Sequence, residues 1–243
     1  REAVVILVIA LIISTLIRTF GVEQFRVPTG SMEQTLYGEH DNGDGTRSSG
    51  DRIFVAKAGG YDRGDIVVFE DKQGWLSAAP AGVSTPWYKD ALEFVGVLPD
   101  SSKRYLVKRL IGLPGDRVTC CDDQGLIEVN GTPLLEDYLY KNPDGSQVNP
   151  SDWEFDVTVP AGHVFVLGDH RNDSADSRYH LCSGTQQTPQ AAFPAVEDIQ
   201  GPVVGIAYPV SRWARFHVPA TFEGVPPPGD PPDEAQVAVY PMC

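Results

Sequence analysis

Arg104-Tyr105-Leu106-Val107-Lys108-Arg109-Leu110, RYLVKRL, reads as a β-strand: aromatic, aliphatic and β-branched residues fill it, without Gly or Pro. In a strand the side chains alternate, so Lys108 shares a face with Leu106 and Leu110, while Tyr105, Val107 and Arg109 take the other. Lysine is rarely buried without a partner, which makes a lysine between two leucines unusual. Burial would disfavour the ammonium and lower its pKa, by up to about 3–5 on the pH scale for a fully enclosed group. A neutral amine near pH 7 is what a lysine needs to act as a general base. Taken alone, an edge lysine whose stem covers apolar surface is the commoner explanation of such a pattern. The rest of the chain has to decide.

Seven further runs look like strands, at 52–56, 65–69, 116–119, 126–130, 155–159, 163–167 and 203–208. Most are bounded by Gly, Pro or Asp, and 24 Gly with 20 Pro suit many turns, so a mainly β fold is expected. Gly-Asp precedes a run at Gly50, Gly64 and Gly115, at unequal intervals that exclude a solenoid. A shared entry turn explains it, with Gly at positive φ and Asp bonding nearby backbone. Asn130-Gly131 signals a hairpin. The stretch 38–50 reads as a solvated polar loop; Asp41, Asp44 and Gly45 lack the spacing and terminal Glu of a calcium loop. Residues 72–103 form a long connection holding Trp75 and Trp87. Either tryptophan could contact a membrane interface or pack in the core.

The formal charge of −14 and a pI near 4.6 argue against nucleic acid as a partner and against docking on anionic lipid. Residues 3–17, AVVILVIALIISTLI, carry no charge. As a helix they span roughly 23 Å, short of a hydrocarbon core of about 30 Å. The chain starts at Arg1 rather than Met, so upstream sequence is expected to complete the span, with residues 19–22 extending it. No small-x-small cleavage site with turn residues follows, which favours a retained anchor over a cleaved signal peptide. Cys120, Cys121, Cys182 and Cys243 fit no metal spacing. Neighbouring cysteines rarely bond each other, so a bridge from Cys120 or Cys121 to Cys182 is expected outside the cytoplasm.

Close behind the apolar run lies Val27-Pro28-Thr29-Gly30-Ser31-Met32-Glu33-Gln34-Thr35-Leu36, VPTGSMEQTL. Ser31 here is a turn residue or a nucleophile, and a nucleophile needs a base. Lys108 is one candidate, since Ser–Lys pairs are an accepted solution. His170 is the other, in the most polar cluster of the chain, Gly168–Arg178, GDHRNDSADSR. Metal binding by Asp169, Asp173 and Asp176 has no support in their spacing.

Together three stretches resemble the bacterial type I signal peptidases: VPTGSMEQTL the nucleophile box, YLVKRLIGLPGDRV from Tyr105 the lysine box, and GDHRNDSADSR the final box. GDRIFV and GDIVVF are similar to further strand motifs of that family, and the resemblance covers roughly 1–215. It implies a coiled antiparallel β-sheet catalytic domain with a β-rich insertion, preceded by one N-terminal transmembrane helix. The implied division is an anchor at 1–22, catalytic core at 23–119 and 163–223, an insertion at 120–162 and a flexible Pro- and acid-rich tail at 224–243.

The resemblance further implies Ser31 as nucleophile, Lys108 as base, and an oxyanion hole from the Ser31 N–H and the Thr29 hydroxyl. Ser174 would hydrogen-bond and orient the lysine, with Asp176 and its ion-pair partner Arg178 behind it. Val27, Pro28 and Met32 would border the substrate. His170 stands where many relatives have Asn, which removes support for a His triad. Implied partners are secreted preproteins with small residues at −1 and −3, and the lipid bilayer; metal and organic cofactor are unnecessary. A catalytically dead anchored binding module and a self-cleaving Ser–Lys protease are the rival readings.

Overall fold

A computed structural model of the chain describes residues 2, 5, 21–41, 47–76, 103–182 and 188–239. β1 (Val22–Arg26) leads into a turn at 29–36 and then a short hairpin, β2 (Glu39–Asp41) with β3 (Arg47–Ser49). β4 (Arg52–Ala56), β5 (Ile66–Glu70) and β6 (Tyr105–Gly112) follow. Next come β7 (Arg117–Cys120), β8 (Ile127–Val129), β9 (Thr132–Pro133), β10 (Phe155–Thr158) and β11 (Phe165–Leu167). A one-turn helix, α1 (Ser177–His180), precedes β12 (Ile199–Tyr208), β13 (Ala214–Arg215) and β14 (Gln236–Val239).

Antiparallel pairing builds a seven-stranded sheet in the order β1-β4-β12-β5-β6-β11, with β13 on β12. A five-stranded sheet has the order β14-β10-β7-β8-β9. The expected mainly β, antiparallel architecture is therefore found. Each of the eight strand-like runs holds a strand, with ends that differ by a few residues. The largest difference is β12, which begins before 203 because Gly201 and Pro202, read as a break, pair with Val68 and Val67. Gly201 is required there: a Cβ would stand 1.9 Å from the Ala56 carbonyl oxygen.

The alternation read from RYLVKRL is preserved in the packing. Leu106 and Leu110 join Val67, Phe69, Val164 and Val166, whereas Val107 faces the cluster of Phe25, Ile53 and Val55. β6 lies between β5 and β11 with apolar residues on both faces, so Lys108 has no sheet edge from which to snorkel.

The Gly-Asp turns behave as expected. Gly50, Gly64 and Gly115 have φ of 69°, 90° and 88°. Asp65 accepts from the Asp62 N–H and Asp116 from the Leu113 N–H, while Asp51 accepts from the more distant Tyr37 N–H. Asn130 and Gly131, both at positive φ, close the β8–β9 hairpin.

Three expectations need correction or lie out of view. The Pro- and acid-rich end is not a free tail over 224–239. The Asn130 amide donates to the Pro226 carbonyl, Ala161 N–H to Pro232, and β14 pairs with β10, so the segment is tied to the second sheet and its turns at these points. Cys120 is bonded to its neighbour Cys121 rather than to Cys182, which is disulfide-bonded elsewhere; adjacent thiols need no approach of distant chain. Among the described residues no helix is long and apolar enough to cross a membrane, and the run 3–17 lies almost wholly outside them.

Candidate active site

The turn carrying Ser31 is pinned from several sides. Met32 and Leu36 sink into the cluster under β1 and β4, and Leu36 N–H bonds the Met32 carbonyl at 2.8 Å. Thr35 Oγ1 donates to Asp169 at 2.6 Å, and the His170 N–H to the Ser31 carbonyl at 3.1 Å. Gly168 is packed so closely that a Cβ would lie 2.3 Å from Ser174 Oγ and 2.5 Å from the Ser31 carbonyl oxygen. The third motif is thus built directly against the first.

Lys108 Nζ lies 2.5 Å from Ser31 Oγ, with Lys108 2% and Ser31 7% exposed. Burial lowers the lysine pKa to about 8, against the pull of Asp176, Asp169 and Asp173, which favour the ammonium. As an ammonium the group donates to Ser31 Oγ; as an amine it accepts the hydroxyl hydrogen. Thr29 Oγ1 is 3.4 Å from Ser31 Oγ. A cavity of about 200 Å³ opens on this pair, walled by Thr29, Ser31, Lys108, Leu106, Trp75 and Leu76.

A frame of buried ion pairs surrounds the lysine. Asp176 accepts from Arg178 Nε at 3.0 Å and Nη2 at 2.8 Å, and from the Gly168 N–H at 3.1 Å. Burial opposes the charge on Asp176, but Arg178 outweighs it and holds the carboxyl below its ordinary range. On the neighbouring position of β6, Arg109 forms a fork with Asp169 at 2.8 and 2.6 Å and also donates to the Gly64 carbonyl. Asp169 therefore links the turn that carries Ser31 to β6. Removing one partner of such a pair leaves a buried charge, typically at a cost of about 3–5 kcal/mol.

The structure brings together Ser31, Lys108 and Thr29, with Asp176 and Arg178 behind them. It forms no hydrogen bond between Ser174 and the lysine: Ser174 Oγ is buried without a hydrogen-bond partner. Val27 and Met32, expected beside substrate, are each 1% exposed with side chains in the core, whereas Pro28 is exposed. His170 contributes its backbone; its ring is stacked on Tyr140, with centroids 3.7 Å apart. Trp75 stacks on His180 and donates Nε1–H to the Ala191 carbonyl; Trp87 lies outside the described residues. Sequence reasoning missed Arg109, Asp169 and Trp75 as parts of the site. Arg109 carried a signal, being a second cation in a strand of apolar neighbours; Trp75 carried none.

The profile of the family described as "Signal peptidase, peptidase S26" matches residues 1–205. The chain belongs to that family. A signal peptidase I from Mycobacterium tuberculosis is 37% identical over 227 residues, covering 88% of this chain and 74% of that protein. One from Bacillus licheniformis is 33% identical over 187 residues, covering 74% and 78%. A solved signal peptidase I from Enterococcus faecalis V583 is 26% identical over 59% of this chain and 97% of that one. Its TM-score of 0.34 is too low to bear on the fold. Membership of the signal peptidase family supports a serine endopeptidase that removes signal peptides from exported proteins.

Proposed function

We propose that the chain is a membrane-anchored serine endopeptidase that removes N-terminal signal peptides from exported preproteins, using Ser31 as nucleophile and Lys108 as general base. The observation that carries this reading is the 2.5 Å approach of Lys108 Nζ to Ser31 Oγ inside a cleft that depresses the lysine pKa. Neutral Lys108 takes the Ser31 proton as Oγ attacks the scissile carbonyl. The Ser31 N–H and the Thr29 hydroxyl face the developing oxyanion, where a strong donor is typically worth about 3–4 kcal/mol. Lys108 then protonates the leaving amine and activates the water that clears the acyl-enzyme. Asp176 and Arg178 hold the segment behind the lysine, and Ser174 is assigned the lysine's orientation once substrate displaces the Lys108–Ser31 contact.

Residues 1–22 serve as the single-pass anchor, with the catalytic domain on the extracytoplasmic face of the membrane; residues 120–162 form the β-rich insertion. The signal peptide lies extended along the approach at Val27-Pro28, pairing through its backbone, with small −1 and −3 side chains in shallow recesses. The test is cleavage of a preprotein by Ser31→Ala and Lys108→Ala with folding checked by circular dichroism. Both lose turnover on this reading. Wild-type rates in either folded variant would sink it.

A further inference from the structure

A second cavity, about 410 Å³, adjoins the Ser31–Lys108 cleft at the segment 173–175. Asp173 and Ala175 line both cavities, so the two share one thin wall. Besides that wall the second cavity is bordered by Asp152, Trp153, Asn172 and Tyr179. Arg171 and Arg178 also reach it, but each is neutralised: Arg171 by Glu136 and Arg178 by Asp176. The carboxylates of Asp152 and Asp173, both exposed, are left without a neutralising cation among the lining residues. Arg178 stands 5.9 Å over one side of the Trp153 ring, and Tyr179 adds a second aromatic surface.

We infer that this cavity is a subsite for a basic side chain of the substrate on the carboxyl side of the scissile bond. Two exposed carboxylates beside aromatic faces, of which Asp173 is offset only by Lys108 in the neighbouring cleft, suit an ammonium or guanidinium, which gains from both. The peptide preceding the scissile bond is assigned to the approach at 27–28, so the chain reaching past Asp173 and Ala175 is the one that follows it. An extended peptide advances about 3.4 Å per residue, so the first four residues after the cut cover about 14 Å, the reach that the test below scans. The inference rests on the protease reading, and it adds a preference that reading does not contain.

The test uses preproteins identical except for Lys, Ala or Glu placed in turn at the first four mature positions, cleaved by the intact enzyme at low ionic strength. At one of those positions the Lys substrate is expected to have a kcat/KM about three- to fivefold above the Glu substrate, carried in KM, since an exposed ion pair is worth up to ~1 kcal/mol. In Asp152→Asn, which keeps an oxygen for the bond from Asn149 Nδ2, that ratio falls to within about twofold of unity, while the Ala substrate is unchanged. Trp153→Phe serves as the second variant, weakening the preference without removing the ring. Equal rates for Lys and Glu substrates in the wild type would overturn the inference, as would a preference that survives intact in Asp152→Asn. Cleavage that requires Ser31 yet shows no charge preference defeats only the subsite; cleavage that persists in Ser31→Ala defeats the protease reading itself.

Discussion

The lysine's titration gives the sharpest lever on the chemistry. With a pKa of about 8, only about 9% of Lys108 is neutral at pH 7, so turnover should rise with pH along a limb centred near 8. Asp173 is exposed, lines the cleft and favours the ammonium. Replacing it by Asn removes that pull. An exposed carboxylate near a cleft shifts a neighbouring titration by on the order of half a pH unit, here downward. The neutral fraction at pH 7 then rises to about 24%, so Asp173→Asn should be about two- to threefold faster than wild type at pH 7. Above about pH 10 the two enzymes converge, because Lys108 is neutral in both. The assay is kcat/KM against a fluorogenic peptide from pH 5.5 to 10.5, with an uncharged residue at every mature position so that the second cavity is not engaged. A limb left in place, or displaced upward, would refute the assignment of Lys108 as the titrating base; a limb near 6.5 would point to histidine.

Lys108→Met should stabilise the fold while abolishing activity. A lysine with folded pKa near 8 against 10.5 unfolded is penalised wherever the unfolded state holds the extra proton, so wild-type stability rises between about pH 8 and 10.5. At pH 7 the whole penalty is present, and removing the amine should add on the order of 3 kcal/mol in urea unfolding, a gain absent at pH 11. No gain at pH 7 would contradict the burial argument. Gly168→Ala should fold poorly or lose all turnover, because its Cβ would displace Ser174 or the Ser31 backbone by several tenths of an ångström at least. Normal activity in that variant would show that the third motif need not pack on the nucleophile turn.

Much of the fold was legible because strand formation here is written in local alternation and in Gly-Asp turns. RYLVKRL sorted its faces correctly from period alone, and Asn130-Gly131 marked its hairpin. What escaped depends on distant partners. β14 looks like a tail until β10, nearly eighty residues earlier, supplies its hydrogen bonds; Pro202 looks like a breaker until Val67 lies opposite it. The site divided the same way. Ser31, Lys108 and Asp176 sat inside long motifs, whereas Trp75 became a cavity wall only through His180 and Ala191. Ser174 is the instructive miss: the motif suggested its role, but with Lys108 already bonded to Ser31 its hydroxyl is left without a partner.

The order β1-β4-β12-β5-β6 carries a consequence for how the molecule comes into being. Ser31 hangs from β1 and β4; Lys108 is borne by β6, paired to β5. Among the described residues, no strand pairing connects those two halves except β12, which is synthesised last of the five. A chain emerging from amino end to carboxyl end therefore lacks a completed sheet around Ser31 and Lys108 until residue 208 is available. The wait acts as a timer: Ser31 and Lys108 are not joined through one sheet until nearly the whole of it has been made.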